Sequence, residues 1–535
     1  MTTLAKAQEL FFAALDAQNR QQPDVAERLY RETLVLAPDR PSVLNNLATV
    51  LLQQDKCVEA LACCEHLIAI SPADAGAWNN FGNAMAALGR HHEALLQFDH
   101  ALKIDPDFAD ALSNRSGSLA ELGRHTEALD DSRRAAILAP DRAEFQSRLG
   151  NALVRLQQPE AAIAACEKAL AVDPRCADAY QNRGNARILL GHYSEALEDY
   201  ARAQDLLPDH PRPYWNEALC RLLLGDFERG WRHYDRGWEI GQRGRNKPVF
   251  RQPSWNGGYV DGTLLIWGEQ GIGDQILYSS MLEDMQAHAR HLVVAVDARL
   301  VLLLQRSLPA IRVIALDVMP LLPGVNVQVA MGDLGKFLRR NRDSFPSGRR
   351  EFLKADVERT KQLRKRLGAD THLLCGISWR STNEAVGTLK SMSLSDLGDL
   401  IALPGVRCID LQYGDTGEER ATLLQDTGLA PHCVEDIDNF HDIDGLAALI
   451  TACDIVVSVS NTTVHLAGAL GKPTLVMLPY ALGRIWYWHE KGEYSPWYPS
   501  CRLLRQIAPG EWGPVLDEAL AAVRKTASST RKNNS

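Results

Sequence analysis

The chain has 535 residues, 46% of them apolar and 23% charged, and a formal net charge of −9. That length calls for two or three domains, and the composition is that of a soluble globular protein. The acidic balance excludes a general nucleic-acid binder while leaving room for a local anion site, and no apolar run reaches the roughly 18 residues needed to span a bilayer.

The start, MTTLAKAQELFFAALDAQNRQQPD, lacks a charged stretch followed by a clean apolar core, so no signal peptide is expected. The eleven cysteines are scattered without a C-x-x-C pair, which predicts reduced thiols in the cytosol and gives no metal-site spacing. The first half is then organised by a period. Prolines recur every 34 residues at Pro38, Pro72, Pro106, Pro140, Pro174 and Pro208, and alanines keep the same step at Ala26, Ala60, Ala94, Ala128, Ala162 and Ala196. The stretch from Trp78 to Pro106 places Trp78, Phe81, Gly82, Ala94, Phe98, Ala101 and Pro106 at tetratricopeptide offsets. Residues 7–240 therefore resemble the tetratricopeptide-repeat family, with six repeats and a degenerate seventh from Pro211 that keeps Gly225 and Tyr234. Small residues admit close helix approach, and each unit leaves an apolar face that its neighbour covers, so an α superhelix is expected. Asn45, Asn79, Asn80, Asn114 and Asn182 recur on the first helices. They are candidates to hold the backbone of an acceptor peptide, as in the repeats of nucleocytoplasmic protein-glycosylating enzymes; the other reading is ordinary exposed polar positions.

Residues 241–262 are rich in Gly, Pro and Arg and read as a linker. Beyond them the apolar runs TLLIWG, HLVVAVD, IRVIAL, LLCGISW, VRCIDLQ, DIVVSVS and PTLVML alternate with helical stretches. That is the pattern of parallel sheets with crossover helices. ADVERTKQLRKRLGAD separates two sets of strands, so the expectation is an α/β part with two Rossmann-like lobes, 263–354 and 355–525, and a cleft at their strand ends. The polar residues 526–535 predict a disordered tail.

Three motifs fall where such a cleft would lie. In WGEQGIGDQ, Gly268, Gly271 and Gly273 allow close backbone approach, but the spacing is not that of a dinucleotide fingerprint. Asp274 reads either as a helix cap or as a general base. In GISWRSTNEAVGTLKS, Trp379 and Arg380 follow a strand and Lys390 lies in the same loop; cations there suit a diphosphate, against the plain alternative of solvated loop charges. In DIVVSVSNTTVHLAGALGKP, Asn461, Thr462 or Thr463 caps a helix whose free N–H groups make an anion site, and His465 in its first turn is expected to face the same anion rather than the core. Leu411 and Gln412 end another strand and are candidates to touch a base through main-chain groups. The triplets Asp436–Asp438 and Asp442–Asp444 lie in a polar loop away from the strand ends, so no metal site is expected. The aromatics of IWYWHEKGEYSPWYP line a pocket or pack a loop.

In their order, EQGIGD, GISWRS, LQYGD, HLAGALGKP and SPWYP resemble the glycosyltransferase family 9, heptosyltransferase-like, domain over residues 250–520. The whole chain resembles bacterial proteins that join tetratricopeptide repeats to such a domain. The resemblance implies a GT-B fold and inverting, metal-independent transfer from a nucleotide-sugar, with no cofactor. It makes Asp274 the base, and it assigns the donor to Gly273, Trp379, Arg380, Lys390, Gln412, Asn461, Thr462, Thr463 and His465. The family usually carries Asp-Thr where this chain has Ser460-Asn461. The leading expectation is a cytoplasmic protein glycosyltransferase whose repeats dock the acceptor, flagellin being one candidate. A glycan or lipopolysaccharide transferase and a repeat scaffold with an inactive transferase domain are the alternatives.

Overall fold

The computed structural model describes residues 3–244, 247–319, 322–346, 348, 351–382 and 387–533. The chain divides into two compact units, one ending at Asp209 and the other beginning at His210.

In the first unit the described residues form six antiparallel helix pairs: α1 (Thr3–Asn19) with α2 (Pro23–Leu36), α3 (Pro41–Gln53) with α4 (Cys57–Ile70), α5 (Ala75–Ala87) with α6 (His91–Ile104), α7 (Ala109–Glu121) with α8 (His125–Leu138), α9 (Ala143–Arg155) with α10 (Pro159–Val172) and α11 (Ala177–Leu189) with α12 (Tyr193–Leu206). The periodic alanines are the buried seam of these pairs. A Cβ at Gly82 would fall 2.5 Å from the Phe98 ring, one at Gly150 2.5 Å from Cys166 Sγ and one at Gly184 2.7 Å from the Tyr200 ring. Glycine at these three places lets a bulky partner on the second helix fill the gap. The result is the expected tetratricopeptide superhelix followed by an α/β unit with parallel sheets.

The second unit starts earlier than expected. α13 (Pro211–Leu224) and α14 (Phe227–Arg232), the degenerate seventh repeat, belong to it. The reason is their aromatic face: the Trp231 indole donates to Arg339 O at 2.8 Å and meets Trp486 edge-on. The first sheet has order β3-β2-β1-β4, with β1 (Val260–Trp267), α15 (Ile272–Ser279), β2 (Ala289–Val296), α16 (Val301–Ser307), β3 (Arg312–Ala315), β4 (Val327–Ala330) and α17 (Gly335–Leu338). The second has order β6-β5-β7-β8-β9 and contains α18 (Val357–Arg366), β5 (Leu373–Ser378), α19 (Gly398–Ile401), β6 (Val406–Asp410), α20 (Gly417–Thr427), α21 (Ile443–Ala452), β7 (Ile455–Val459), α22 (Thr462–Ala469), β8 (Thr474–Leu478), β9 (Cys501–Arg505) and α23 (Gly513–Asn533). Every strand pair is parallel. β5, β7 and β8 are buried throughout, as strands covered on both faces must be.

Two further expectations are corrected. Residues 241–262 are no loose linker, because Arg243 is fully buried and Trp255 packs on Phe337 with ring centroids 4.6 Å apart. The tail expected to be disordered from Thr526 instead continues α23 to Asn533. Val515, Ala519 and Val523 bury one face of that helix, and the Thr526 hydroxyl is satisfied by Ala522 O at 3.0 Å. Among the described residues no helix is long and apolar enough to cross a membrane.

Candidate functional site

The chemistry-bearing turns leave the carboxyl ends of parallel strands. The first sheet changes direction between β1 and β4, and the second between β5 and β7. Such switch points open the crevice in which open α/β sheets hold ligands. The turn 268–274 leaves β1, 379–390 leaves β5 and 460–465 leaves β7. α15 and α22 pack together, so that a Cβ on Gly273 would lie 3.0 Å from His465 Cδ2. Gly273 is thus a close-approach residue between the helices.

Asp274 is half-buried in the first turn of α15 and accepts the Gly271 N–H at 3.2 Å. Burial pushes its carboxyl up to about 6, against the pull of the Gly271 N–H and of Lys390. Lys390, buried at the end of a short turn after β5, is pushed down to about 8 by burial, and the Asp274 charge opposes that shift. A carboxyl from the first sheet and an ammonium from the second therefore share one desolvated place. The cap and the base are compatible roles for Asp274.

The other expected donor contacts divide. Thr462, the first residue of α22, stays half-exposed. Asn461 caps the helix by accepting the Thr463 N–H at 3.0 Å, while its Nδ2 donates to Ser378 Oγ at 2.7 Å and Arg380 O at 3.0 Å. It ties β7 to β5 across the switch point. Thr463 is buried and donates to Leu411 O at 3.2 Å. Gln412 Oε1 accepts from Ser378 Oγ at 2.9 Å and from the Trp379 and Arg380 N–H groups at 3.0 Å each. Trp379 is a core residue whose indole donates to Glu419 at 2.9 Å. Arg380 pairs with Glu419 at 3.5 Å and donates to Asp415 O. Asn461, Thr463, Trp379 and Gln412 shape the strand ends from behind, and Arg380 is partly neutralised by its own lobe.

His465 corrects the expectation of an anion contact. It is buried between two tyrosines, with Nδ1 2.9 Å from Tyr498 Oη and Nε2 3.2 Å from Tyr487 Oη. Burial holds it neutral, down to about 3. Trp486, Tyr487, Trp488, Trp497 and Tyr498 are buried as well, so the aromatic stretch is a packed loop. The Trp488 indole donates to Ser460 Oγ at 2.7 Å, which gives Ser460 a structural partner.

The D-x-D carboxylates are spent on arginines and caps. Asp436 pairs with Arg366 at 2.8 Å, Asp442 with Arg359 at 2.6 Å and Asp444 with Arg306 at 2.6 Å, and Asp438 accepts from the Phe440 N–H at 2.8 Å. Among the described residues no group of three or more His, Cys, Asp or Glu side chains gathers as a metal site would.

The repeat asparagines bond to one another. Asn80 donates to Asn45 at 2.7 Å, Asn114 to Asn79 at 3.0 Å and Asn182 to Ser147 O and Oγ at 3.1 Å, while Asn151 donates to Asn182 at 3.0 Å. These side chains form a ladder between successive repeats, and Asn79 and Asn182 are buried. This corrects the picture of a row reaching freely for a peptide.

Sequence reasoning missed Glu269, Arg243 and Tyr234. Glu269 follows Gly268 and is pushed up to about 7 by burial, with Arg243 pulling it back. Its place beside the Gly-rich turn was the available signal; the partner in the supposed linker was not.

Comparison with known proteins bears on the array. A family described as tetratricopeptide repeat matches residues 13–75 and 147–211, and a second of the same description matches residues 75–108. Protein FlbA of Caulobacter vibrioides is 33% identical over 306 residues, 53% of this chain and 50% of that protein, so the match spans about half of the relative. Among solved structures, a tetratricopeptide repeat protein from Parabacteroides merdae is 17% identical with a TM-score of 0.36, covering 44% of this chain and 94% of its own. MamA from Desulfovibrio magneticus is 24% identical with a TM-score of 0.28, covering 31% of this chain and 95% of its own. The first half of the chain is a tetratricopeptide-repeat array.

Proposed function

We propose that this chain is an inverting glycosyltransferase of GT-B type that moves a sugar from a nucleotide-sugar to a protein docked on the repeats, without a metal ion. The observation that carries the reading is the pairing of Asp274 with Lys390 at the strand ends of two parallel sheets. A carboxyl near 6 is a competent base at neutral pH, and a lysine near 8 is still mostly charged there. Asp274 takes the proton from the acceptor hydroxyl as that oxygen attacks the anomeric carbon. The bond from that carbon to the diphosphate breaks, and its electron pair leaves on the diphosphate oxygen. Lys390 and the start of α22 at Thr462 meet the developing charge. Flagellin is the first acceptor to try, on the resemblance stated above.

A repeat scaffold with an inactive second unit is the second reading, favoured by the pairing of Arg380 with Glu419. Thermal shift of the full-length protein against nucleoside diphosphates and nucleotide-sugars separates the two. The transferase reading expects one nucleoside diphosphate to stabilise the protein, by about 2.7 kcal/mol at a hundredfold excess over its Kd. That effect should disappear in Lys390→Met and persist in Asp274→Asn. No stabilisation by any of them would favour the scaffold, and transfer to a glycan in place of a protein would move the acceptor to that class.

A further inference from the structure

The turn that carries Asp274 is gripped by a single guanidinium. Arg243 donates from Nη2 to Glu269 Oε1 at 2.6 Å and from Nη1 to Asp333 Oδ1 at 2.6 Å. Its Cζ lies 4.7 Å from the ring centroids of both Tyr234 and Trp238. Glu269 Oε1 also accepts the Gly332 N–H at 3.2 Å, and a Cβ on Gly332 would fall 2.2 Å from that oxygen. One cation therefore joins the turn after β1 to the turn after β4, across the point where the first sheet changes direction. The same turn is held at two further places. Gln270 Nε2 donates to Tyr234 Oη at 3.2 Å, and Tyr234 Oη lies 2.6 Å from Tyr278 Oη on α15.

This arrangement needs arginine. A planar fork reaches two carboxylates at once and stacks on rings; an ammonium is a point charge that does neither. With the fork gone, Glu269 and Asp333 would be left facing each other without a shared cation, and the turn between Gly268 and Asp274 would lose its fixed end.

We propose that Arg243 is a positioning residue for Asp274: by joining Glu269 to Asp333 it sets the Gly-rich turn, and with it the place and hydration of the Asp274 carboxyl. The proposal rests on the reading of Asp274 as the base, but its test does not depend on turnover. The Asp274 carboxyl carbon is titrated by NMR in Asp-labelled full-length protein, its signal assigned by its loss in Asp274→Asn. Wild type is expected to titrate near about 6. Arg243→Lys and Arg243→Met should move that value down by on the order of one unit, because a loosened turn admits water to the carboxyl. Where transfer is measured, kcat should fall by on the order of 10²-fold with the donor KM within about twofold. An unchanged Asp274 titration in folded variants, whatever their Tm, overturns the proposal. If Arg243→Met does not fold, Arg243→Lys and Glu269→Gln, which keep the volume and a hydrogen bond, decide it. Absent transfer in wild type would sink the transferase reading alone and leave the titration to report on the turn.

Discussion

Asp274 and Lys390 stand at the ends of different sheets, and each moves the other: the ammonium draws the carboxyl down, the carboxyl holds the ammonium up, and burial works against both. The two protons belong to the pair. Transfer is expected to follow a bell, rising through about 6 as Asp274 ionises and falling through about 8 as Lys390 loses its proton. The pH profile of kcat/KM checks this. Asp274→Asn should lower kcat by on the order of 10²–10⁴-fold. A flat profile between pH 5 and pH 9 would count against the pair.

His465 is expected to matter to stability before it matters to any ligand. Its ring supports two buried tyrosine hydroxyls, so His465→Ala should cost about 3 kcal/mol in urea unfolding. The pH dependence has a definite sign. The folded value of about 3 lies below the ordinary 6.5, so the unfolded chain takes up the proton first and stability present above 6.5 is lost as the pH falls. Between pH 6.5 and 4 this amounts to on the order of 3 kcal/mol, and His465→Phe should remove it. Loss of nucleotide binding in His465→Ala at unchanged stability would restore the ligand contact.

The asparagine ladder predicts a structural phenotype in the array. Asn182 is buried, donates twice to Ser147 and accepts from Asn151. Asn182→Ala should destabilise the array by about 1–3 kcal/mol and raise amide exchange in α9 and α11. A variant with native exchange and weaker acceptor binding would show that the asparagines read a peptide.

The folding boundary of the second unit is expected at 210 and not at 241. A fragment starting at 241 lacks Trp231 and the main chain of Leu222 and Leu223, to which His489 and Glu490 bond at 3.1 and 3.0 Å. Residues 210–535 should give a cooperative melt and near-ultraviolet circular dichroism; residues 241–535 should aggregate. Equal melts for the two fragments would remove the proposed role of α13 and α14.

Legibility in the sequence followed the range of the interactions. The array was readable because one local rule is repeated, and the buried strands because apolar runs between turns need no distant partner. β4 and β9 were not read: β4 has four residues and β9 carries Arg502 and Arg505, so neither makes a long apolar run. At the site, the turns and Asp274 were visible as local motifs. What His465 does was not, because its partners come 22 and 33 residues later from a loop whose packing no local pattern sets. Arg243 was hidden for the same reason: a Gly- and Arg-rich stretch looks like linker until Glu269 and Asp333 close on it from opposite strands.

α13 and α14 touch both halves of the second unit, through Trp231 to Arg339 on one side and through Leu222 to His489 on the other. A hinge motion of either half would have to part both sets of bonds together. The crevice is therefore a stiff one, formed before anything enters it, and little of a ligand's binding free energy is diverted into reshaping the protein. Affinity differences among nucleotides should then report directly on which base and phosphate groups fit, and a fixed-backbone search of this crevice is a sound way to rank donors.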